Sequence, residues 1–265
     1  MSYARLKPNC GAPPPHCAFP LHRPEISALL ADGDARLREI VDPGALVLGP
    51  RKTLVAMGQE QQEVYRLRSG WCARLRFLRD GRSQISAVLL PGDLIAVRSA
   101  LLDQQPDEIA TVTACEFDVV DQVQLRAAAA AQPSLMMRLW WQTMEDERRL
   151  GNWLIAISRG RAEERVALML LDLRGRLALA GLIDPEAAEI PLPLTQQDLG
   201  EALGLTAVHV NRTLKSLRDS GLASVNARTA KLHVPGLFGI ASPLMDVFQR
   251  RRPEFGAPAE LVVFG

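Results

Sequence analysis

The spacing of hydrophobic positions divides the chain into a β-rich segment with helical segments on either side. From Gly44 to about Val123, short runs of β-type residues are separated by turn residues, and in Trp71–Leu78 apolar and polar side chains alternate cleanly. A period of two is typical of a strand that is buried on one face. Asp80-Gly81 follows this strand and favours a hairpin turn. Regularly spaced short strands of this kind predict an antiparallel β-roll that resembles a jelly roll.

Apolar residues recur at helical spacing on both sides of the β-rich segment. Residues 24–41 show this spacing with an interruption at Gly33. From Pro133 to about Ser158, steps of four and three residues select seven positions, most of them apolar, which predicts a long helix with an imperfect coiled-coil seam. The alternative is a helix that only packs on the β-roll. The predicted dimer-interface residues are Met136, Trp140, Thr143, Glu147, Leu150, Leu154 and Ile157.

Glu147 has two interpretations within that stripe. Across a parallel two-fold seam it would face its own copy, and the two like charges would repel each other and weaken the dimer. Alternatively, the side chain turns out to solvent.

Residues 195–218 carry the local signals of two short helices joined by a tight turn. Thr195 and Asp198 fit a capping box at the start of the first helix, and Gly204 fits a left-handed residue at its end. Thr206 fits the cap of the second helix, which would bury the stripe formed by Val210, Leu214 and Leu217. This arrangement predicts a helix-turn-helix. The sequence LASVNARTAKLHV at 222–234 predicts a β-hairpin wing after it.

The outer side of the second helix carries side chains suited to the edges of DNA bases. Arg212 can bridge guanine, Asn211 can pair with adenine, and Val208 can touch a thymine methyl group. Five basic residues against one acidic residue between Gly204 and Pro235 favour a nucleic-acid surface. The predicted contacts with double-stranded DNA are Thr195, Gln196, Thr206, Val208, His209, Asn211, Arg212, Lys215, Arg228 and Lys231.

Length and composition fit two modest domains of ordinary globular type. The 265 residues are 48% hydrophobic and 23% charged, with a net charge of +1. Charged residues or proline interrupt every apolar stretch before it reaches the roughly 18 residues that indicate a membrane span. The N-terminal sequence lacks the basic-then-apolar order of a signal peptide. We therefore expect a cytoplasmic protein without a membrane partner.

The positions of the four histidines argue against a metalloenzyme on a β-roll scaffold. Such enzymes cluster His and Glu ligands inside the barrel, whereas all four histidines lie outside residues 44–123. We expect that the protein is not an enzyme. A small-molecule-binding or partner-docking protein whose winged helix does not bind DNA stays as the alternative.

The four cysteines do not form a disulfide framework in a chain of this length and expected location. Cys115 shares its strand face with Phe117 and Val119, which predicts a buried thiol. The alternation in Trp71–Leu78 places Cys72 on the polar face of its strand. Cys10 and Cys17 lie in a proline-rich segment that is expected to be an irregular arm.

Five motifs lie in order between about Gly44 and Pro235. They are VYRLRSG (64–70), DGR (80–82), LLPGDLI (89–95), TACEF (113–117) and, most specific of all, LTQQDLGEALGLTAVHVNRTLKSLRDSGL (194–222). With this order of parts, the chain resembles the Crp/Fnr family of transcription regulators. The resemblance implies an α+β protein with a sensor β-roll, a long dimerisation helix and a C-terminal winged helix-turn-helix. It also implies a homodimer on a near-palindromic operator, with RNA polymerase as a further partner if the protein is an activator.

We expect five segments on this basis. Residues 1–23 form the irregular arm, 24–131 the β-roll sensor, and 132–159 the dimerisation helix. Residues 160–238 form the winged helix-turn-helix domain, and 239–265 form a C-terminal tail.

The resemblance bears on two cofactors. Cyclic-nucleotide-binding members have Gly-Glu and Arg-Ser pairs where this chain has Ala96-Val97 and Gln105-Pro106, and a buried phosphate without a cation is costly. Cyclic nucleotide is therefore disfavoured. Oxygen-sensing members hold an iron–sulfur cluster, and Cys10, Cys17 and Cys115 lie in the regions that correspond to its ligands. The first two cysteines have Cys-x6-Cys spacing. A fourth ligand would have to be His16, His22 or Cys72. A cluster, a thiol switch, another small ligand and no ligand all stay open.

Overall fold

The computed structural model describes residues 24–245 and has the predicted α+β architecture. A first helix is followed by eight strands that form the β-roll. These elements are α1 (Pro24–Ile40), β1 (Asp42–Leu48), β2 (Thr53–Val55), β3 (Glu63–Ser69), β4 (Cys72–Phe77), β5 (Ser83–Leu89), β6 (Leu94–Ile95), β7 (Glu108–Thr111) and β8 (Cys115–Asp121). A 3-10 helix, Val97–Ala100, separates β6 from β7.

Two connecting helices and a C-terminal domain follow the β-roll. The connecting helices are α2 (Gln122–Ala131) and α3 (Pro133–Arg159). The C-terminal domain comprises α4 (Ala162–Leu179), β9 (Glu189–Pro191), α5 (Gln196–Leu203), α6 (Ala207–Asp219), β10 (Ala223–Val225), β11 (Thr229–Leu232) and α7 (Val234–Met245). The domain boundary predicted between residues 238 and 239 falls inside α7, whose buried side chains pack against α4.

The β-roll consists of two antiparallel four-stranded sheets, with strand orders β1-β8-β3-β6 and β2-β7-β4-β5. The side chains between them fill the interior, and the edge-to-face ring pair of Tyr65 and Phe117 lies among them with centroids 6.0 Å apart. Cys115 is buried beside Phe117, as the alternation along its strand predicts.

The prediction that Cys72 lies on a polar strand face is wrong. Its exposed fraction is 0%, and its thiol lies in the interior between the sheets. Trp71 and Ala73 point to the opposite face and are buried too, because that face is covered by the C-terminal domain. The start of β4 is therefore buried on both sides, and only its far end, at Phe77, is exposed on the surface.

The sequence pattern predicts an interruption of the first helix at Gly33, but the structure shows none. The helix α1 continues through Gly33 from Pro24 to Ile40 and packs along α3. A Cβ atom at Gly33 would lie 2.1 Å from the carbonyl oxygen of Ser134 and 2.8 Å from Cβ of Arg138. Glycine is thus required here by a close helix crossing rather than by a break in the helix.

One apolar cluster joins the β-roll to the C-terminal domain. It includes Trp71, Ile85 and Val88 from the outer face of the second sheet together with residues of α4 and α5. Gly160 separates α3 from α4. Among residues 24–245, no helix is both long and apolar enough to cross a bilayer.

Candidate nucleic-acid interface

The first helix of the predicted pair is fixed at both ends by the residues that the sequence singles out. The N–H of Asp198 donates to Oγ1 of Thr195 at 3.1 Å, and the N–H of Thr195 donates to Oδ2 of Asp198 at 2.8 Å, which completes the capping box. Gly204 ends α5 with φ of 65°, in the left-handed region. A Cβ atom at Gly200 would lie 2.6 Å from the carbonyl oxygen of Leu205, so the turn passes close over this residue.

The second helix begins at the predicted cap and has one buried and one exposed side. The N–H of His209 donates to Oγ1 of Thr206 at 3.2 Å. Val210, Thr213 and Leu217 are buried against the rest of the domain. The opposite side of α6 is therefore free to meet another molecule.

We define the recognition face of α6 by five exposed residues. Val208 has an exposed fraction of 72%, and its neighbours on this face are also exposed. The side-chain amide of Asn211 donates to Oε1 of Gln196 at 3.1 Å, which links the recognition face to the start of α5. The five residues are Val208, His209, Asn211, Arg212 and Lys215.

The predicted wing has a third strand that the sequence pattern does not resolve. β10 and β11 form the hairpin, and β9 pairs with β11 to give the order β10-β11-β9. Arg228 lies in the exposed turn of the hairpin, and Nζ of Lys231 lies 3.8 Å from Oε2 of Glu189 on the surface. All ten predicted DNA contacts are exposed: Thr195, Gln196, Thr206, Val208, His209, Asn211, Arg212, Lys215, Arg228 and Lys231.

The long helix α3 carries an exposed apolar stripe. Its buried side, which includes Leu135, Leu139 and Ala156, faces the protein. The predicted interface residues Met136, Trp140, Thr143, Glu147, Leu150 and Leu154 are exposed, and Ile157 is half-buried. Met144 and Ile155 are further exposed apolar residues on this helix that the steps of four and three residues omit.

The thiol of Cys115 does not fit a ligand of an iron–sulfur cluster at the protein surface. Its exposed fraction is 2%, it lies 3.7 Å from the sulfur of Cys72, and it donates to the carbonyl oxygen of Trp71 at 3.2 Å. Hydrogen bonding to Cys115 and burial raise the pKa of Cys72. The other two proposed ligands, Cys10 and Cys17, lie outside the described residues.

The positions that correspond to the phosphate site of cyclic-nucleotide-binding proteins hold neutral side chains. Ala96 has φ of 61°, in the left-handed region, and precedes the 3-10 helix. Gln105 is buried, and its backbone is hydrogen-bonded to the segment at Gly58 and Gln59. Neither residue carries a positive charge, so neither could form an ion pair with a buried phosphate.

Two protein-family models match the chain. Residues 45–132 match a model described as a cyclic nucleotide-binding domain. Residues 164–237 match a model described as a Crp-like helix-turn-helix domain. The two matched segments correspond to the β-roll with α2 and to the C-terminal domain.

Several proteins are similar to a large part of the chain. The nitrogen fixation regulation protein FixK of Azorhizobium caulinodans is 31% identical over 167 residues, which cover 63% of this chain and 66% of that protein. The transcriptional activator protein FnrA of Stutzerimonas stutzeri is 25% identical, with 83% of this chain and 89% of that protein covered. The solved structure of FixK2 from Bradyrhizobium japonicum is 25% identical with a TM-score of 0.68, and the match covers 76% of this chain and 97% of that chain.

Proposed function

The chain belongs to the Crp/Fnr family of transcription regulators, and from this premise we propose that it is a sequence-specific DNA-binding regulator that acts as a homodimer and not as an enzyme. The observation that carries the proposal is the exposed recognition face of a capped α6. A helix of this kind can enter the major groove with its N-terminal residues at the base edges.

The proposed contacts divide into two groups with different roles. Arg212 and Asn211 meet base edges with hydrogen-bond patterns that suit guanine and adenine, and Val208 meets a thymine methyl group. Lys215, Arg228 and Lys231 meet phosphate oxygens, which hold the protein on the duplex without specifying sequence. Thr195, Gln196, Thr206 and His209 lie around the recognition face and complete the contact surface.

The exposed stripe of α3 supports the proposed homodimer. Large apolar side chains such as Trp140 and Leu154 are costly to leave in water along one helix face, and a second copy would cover them. Two copies related by a two-fold axis would place their recognition helices about 34 Å apart, in successive major grooves of a near-palindromic site.

We propose that the β-roll, residues 24–131, responds to a signal other than a cyclic nucleotide. The neutral residues Ala96 and Gln105 support this, because they offer no charge to a phosphate. The relatives are regulators of transcription, which supports a cytoplasmic location and, for an activator, contact with RNA polymerase.

Selection of bound sequences from a random pool of duplex DNA tests the proposed function. The selected operator and a scrambled duplex are then compared in binding assays. We expect that Arg212→Ala loses about 1–3 kcal/mol of discrimination between the two for each half-site, whereas Lys231→Ala weakens binding to both equally. Equal loss on both duplexes for both variants would contradict direct recognition of bases, and a wild-type protein that selects no sequence would contradict the regulator.

A further inference from the structure

An ion pair connects the β-roll to the first helix of the helix-turn-helix. Nη1 of Arg51 donates to Oδ1 of Asp198 at 2.8 Å, and Nη2 donates to Oδ2 at 2.6 Å. Arg51 belongs to the turn between β1 and β2, and Asp198 lies in the first turn of α5. A bidentate pair of this geometry fixes the direction as well as the distance between the two groups.

The turn that carries Arg51 is itself rigidly placed. Arg51 has φ of 58°, in the left-handed region. Its N–H donates to the carbonyl oxygen of Thr111 at 2.9 Å, and Oγ1 of Thr111 donates to the carbonyl oxygen of Gly49 at 2.7 Å. Thr111 also accepts, at the same Oγ1, the N–H of Lys52 at 2.8 Å. The guanidinium therefore projects from a fixed point of the second sheet.

The carboxylate of Asp198 takes part in both the capping box and the ion pair with Arg51. Its Oδ2 atom accepts from the N–H of Thr195 in the capping box as well as from Arg51. Although partial burial acts to raise the pKa of Asp198, hydrogen bonds from Arg51 and Thr195 lower it below its ordinary value. The pair is consequently ionised throughout the pH range in which DNA binding is measured.

A second contact holds the other end of α5. The side-chain amide of Gln84, on β5, donates to the carbonyl oxygen of Glu201 and lies 3.4 Å from that of Ala202. Arg51 and Gln84 thus attach both ends of α5 to one sheet of the β-roll. The recognition face stays exposed in this arrangement, with Val208 in open solvent.

We propose that Arg51 is a positioning residue for DNA recognition, which fixes α5 on the β-roll and thereby sets the direction in which α6 presents its recognition face. The proposal rests on the proposed DNA-binding function. We call the Arg51–Asp198 ion pair the clamp. Since the recognition face is exposed while the clamp holds α5 on the β-roll, this arrangement is the one that binds DNA. If the clamp is broken, α5 and α6 can move more freely relative to the β-roll. DNA binding must then remove this conformational freedom, which weakens the complex.

Arg51→Asn is the variant that tests the clamp. Asparagine tolerates the left-handed backbone at this position, so the change removes the guanidinium without adding strain to the turn. Arg82→Asn is the matched control, because Arg82 forms an exposed ion pair with Asp80 inside the β4–β5 hairpin. We expect about threefold to tenfold weaker binding to the selected operator for Arg51→Asn and no change for Arg82→Asn.

The salt dependence of binding separates positioning from direct contact. A residue that neutralises a phosphate contributes about 0.9 to the slope of log affinity against log salt concentration. We expect Arg51→Asn to leave this slope unchanged. Lys215→Gln removes one phosphate contact from each subunit of the dimer and should reduce the slope by about 1.8. A reduced slope for Arg51→Asn would overturn the proposal, because Arg51 would then be a phosphate contact. Arg51→Lys retains the charge but not the bidentate geometry, and we expect partial recovery of affinity.

Asp198→Asn supplies the second half of a double-mutant cycle. Its remaining carbonyl oxygen can still accept from the N–H of Thr195, so the capping box persists. We expect Arg51→Asn to have little further effect on operator affinity in the Asp198→Asn protein. Equal effects of Arg51→Asn in the two backgrounds would show that the pair does not act together and would contradict the clamp.

Hydrogen exchange provides a measurement that needs no DNA. Amides of α5 should exchange about threefold to tenfold faster in Arg51→Asn, because the helix detaches more often, while the β4–β5 hairpin should not change. Unchanged exchange in α5, or a uniform increase along the chain, would refute the clamp. If the wild-type protein selects no DNA sequence, the proposed function fails, and the exchange experiment still decides whether the clamp exists.

Discussion

Nε of Arg138 in α3 lies 3.3 Å from Oδ1 of Asp34 in α1, and both side chains are buried. The exposed fraction of Arg138 is 2%, and burial lowers the pKa of its guanidinium despite the neighbouring carboxylate. Asp34 also pairs with Arg38, Oδ2 to Nη2, at 2.6 Å. The first helix is therefore attached to the long helix through a charge that cannot reach water.

We predict that Asp34→Ala lowers the free energy of unfolding by about 3–5 kcal/mol, because it leaves Arg138 buried without this carboxylate. Chemical denaturation followed by circular dichroism measures the change. Asp32→Ala serves as the control, since Asp32 forms an exposed pair with Arg36 on the same helix and should cost less than about 1 kcal/mol. Similar losses for the two variants would show that the Arg138–Asp34 contact has no special role.

Gly33→Ala should destabilise the protein although alanine favours helices. The added methyl group would lie only 2.1 Å from the carbonyl oxygen of Ser134. Overpacking costs about 1–3 kcal/mol, and so close an overlap with backbone belongs at the upper end of that range, above the gain of about 1 kcal/mol in helix propensity. Gly239→Ala is the matched control in α7, where a Cβ atom meets nothing within 4 Å. We expect a lower melting temperature for the first variant and an equal or higher one for the second. The opposite order would mean that α1 and α3 do not cross at Gly33.

The helix-turn-helix is predictable from the sequence because its signals are local. The side chains of Thr195 and Thr206 each accept a hydrogen bond from the backbone N–H three residues further on. Gly204 adopts the left-handed conformation that glycine favours without help from distant residues. The strands of the β-roll are predictable for a similar reason, since alternation along a strand records which side faces the interior.

Contacts between distant segments leave no comparable signal. Arg51 and Asp198 are 147 positions apart, and nothing in their sequence neighbourhoods marks them as a pair. Alternation along β4 does not predict that Cys72 is buried, because both faces of the strand are covered at this point. The C-terminal domain covers the second face, and no local sequence pattern indicates that contact. Gly33 suggests a helix break, and only the close approach of α3 explains why glycine is needed there.

The exposed stripe of α3 leads to a prediction about the oligomeric state. We expect sedimentation velocity to show a dimer for the wild-type chain and a monomer for Trp140→Glu, because a charge at this position would have to be buried in the seam. Leu101→Glu is the control, as Leu101 is also exposed and apolar but lies next to the 3-10 helix of the β-roll. A Trp140→Glu protein that stays dimeric would place the interface elsewhere.

The buried thiols of the β-roll should resist modification. We predict that Cys72 and Cys115 react with a maleimide only after unfolding, because both are enclosed between the sheets. Peptide mapping by mass spectrometry identifies the labelled positions, with fully denatured protein as the reference. Rapid labelling of either residue in the folded protein would contradict the packed interior and would reopen a sensory role for these thiols.

Hydroxyl-radical footprinting on the selected operator tests the central claim most directly. We predict two protected regions related by two-fold symmetry, with centres about 10 base pairs apart on one face of the duplex, and loss of both in Arg212→Ala. A single protected region, or protection that is the same on unrelated DNA, would contradict a dimer that recognises sequence through α6.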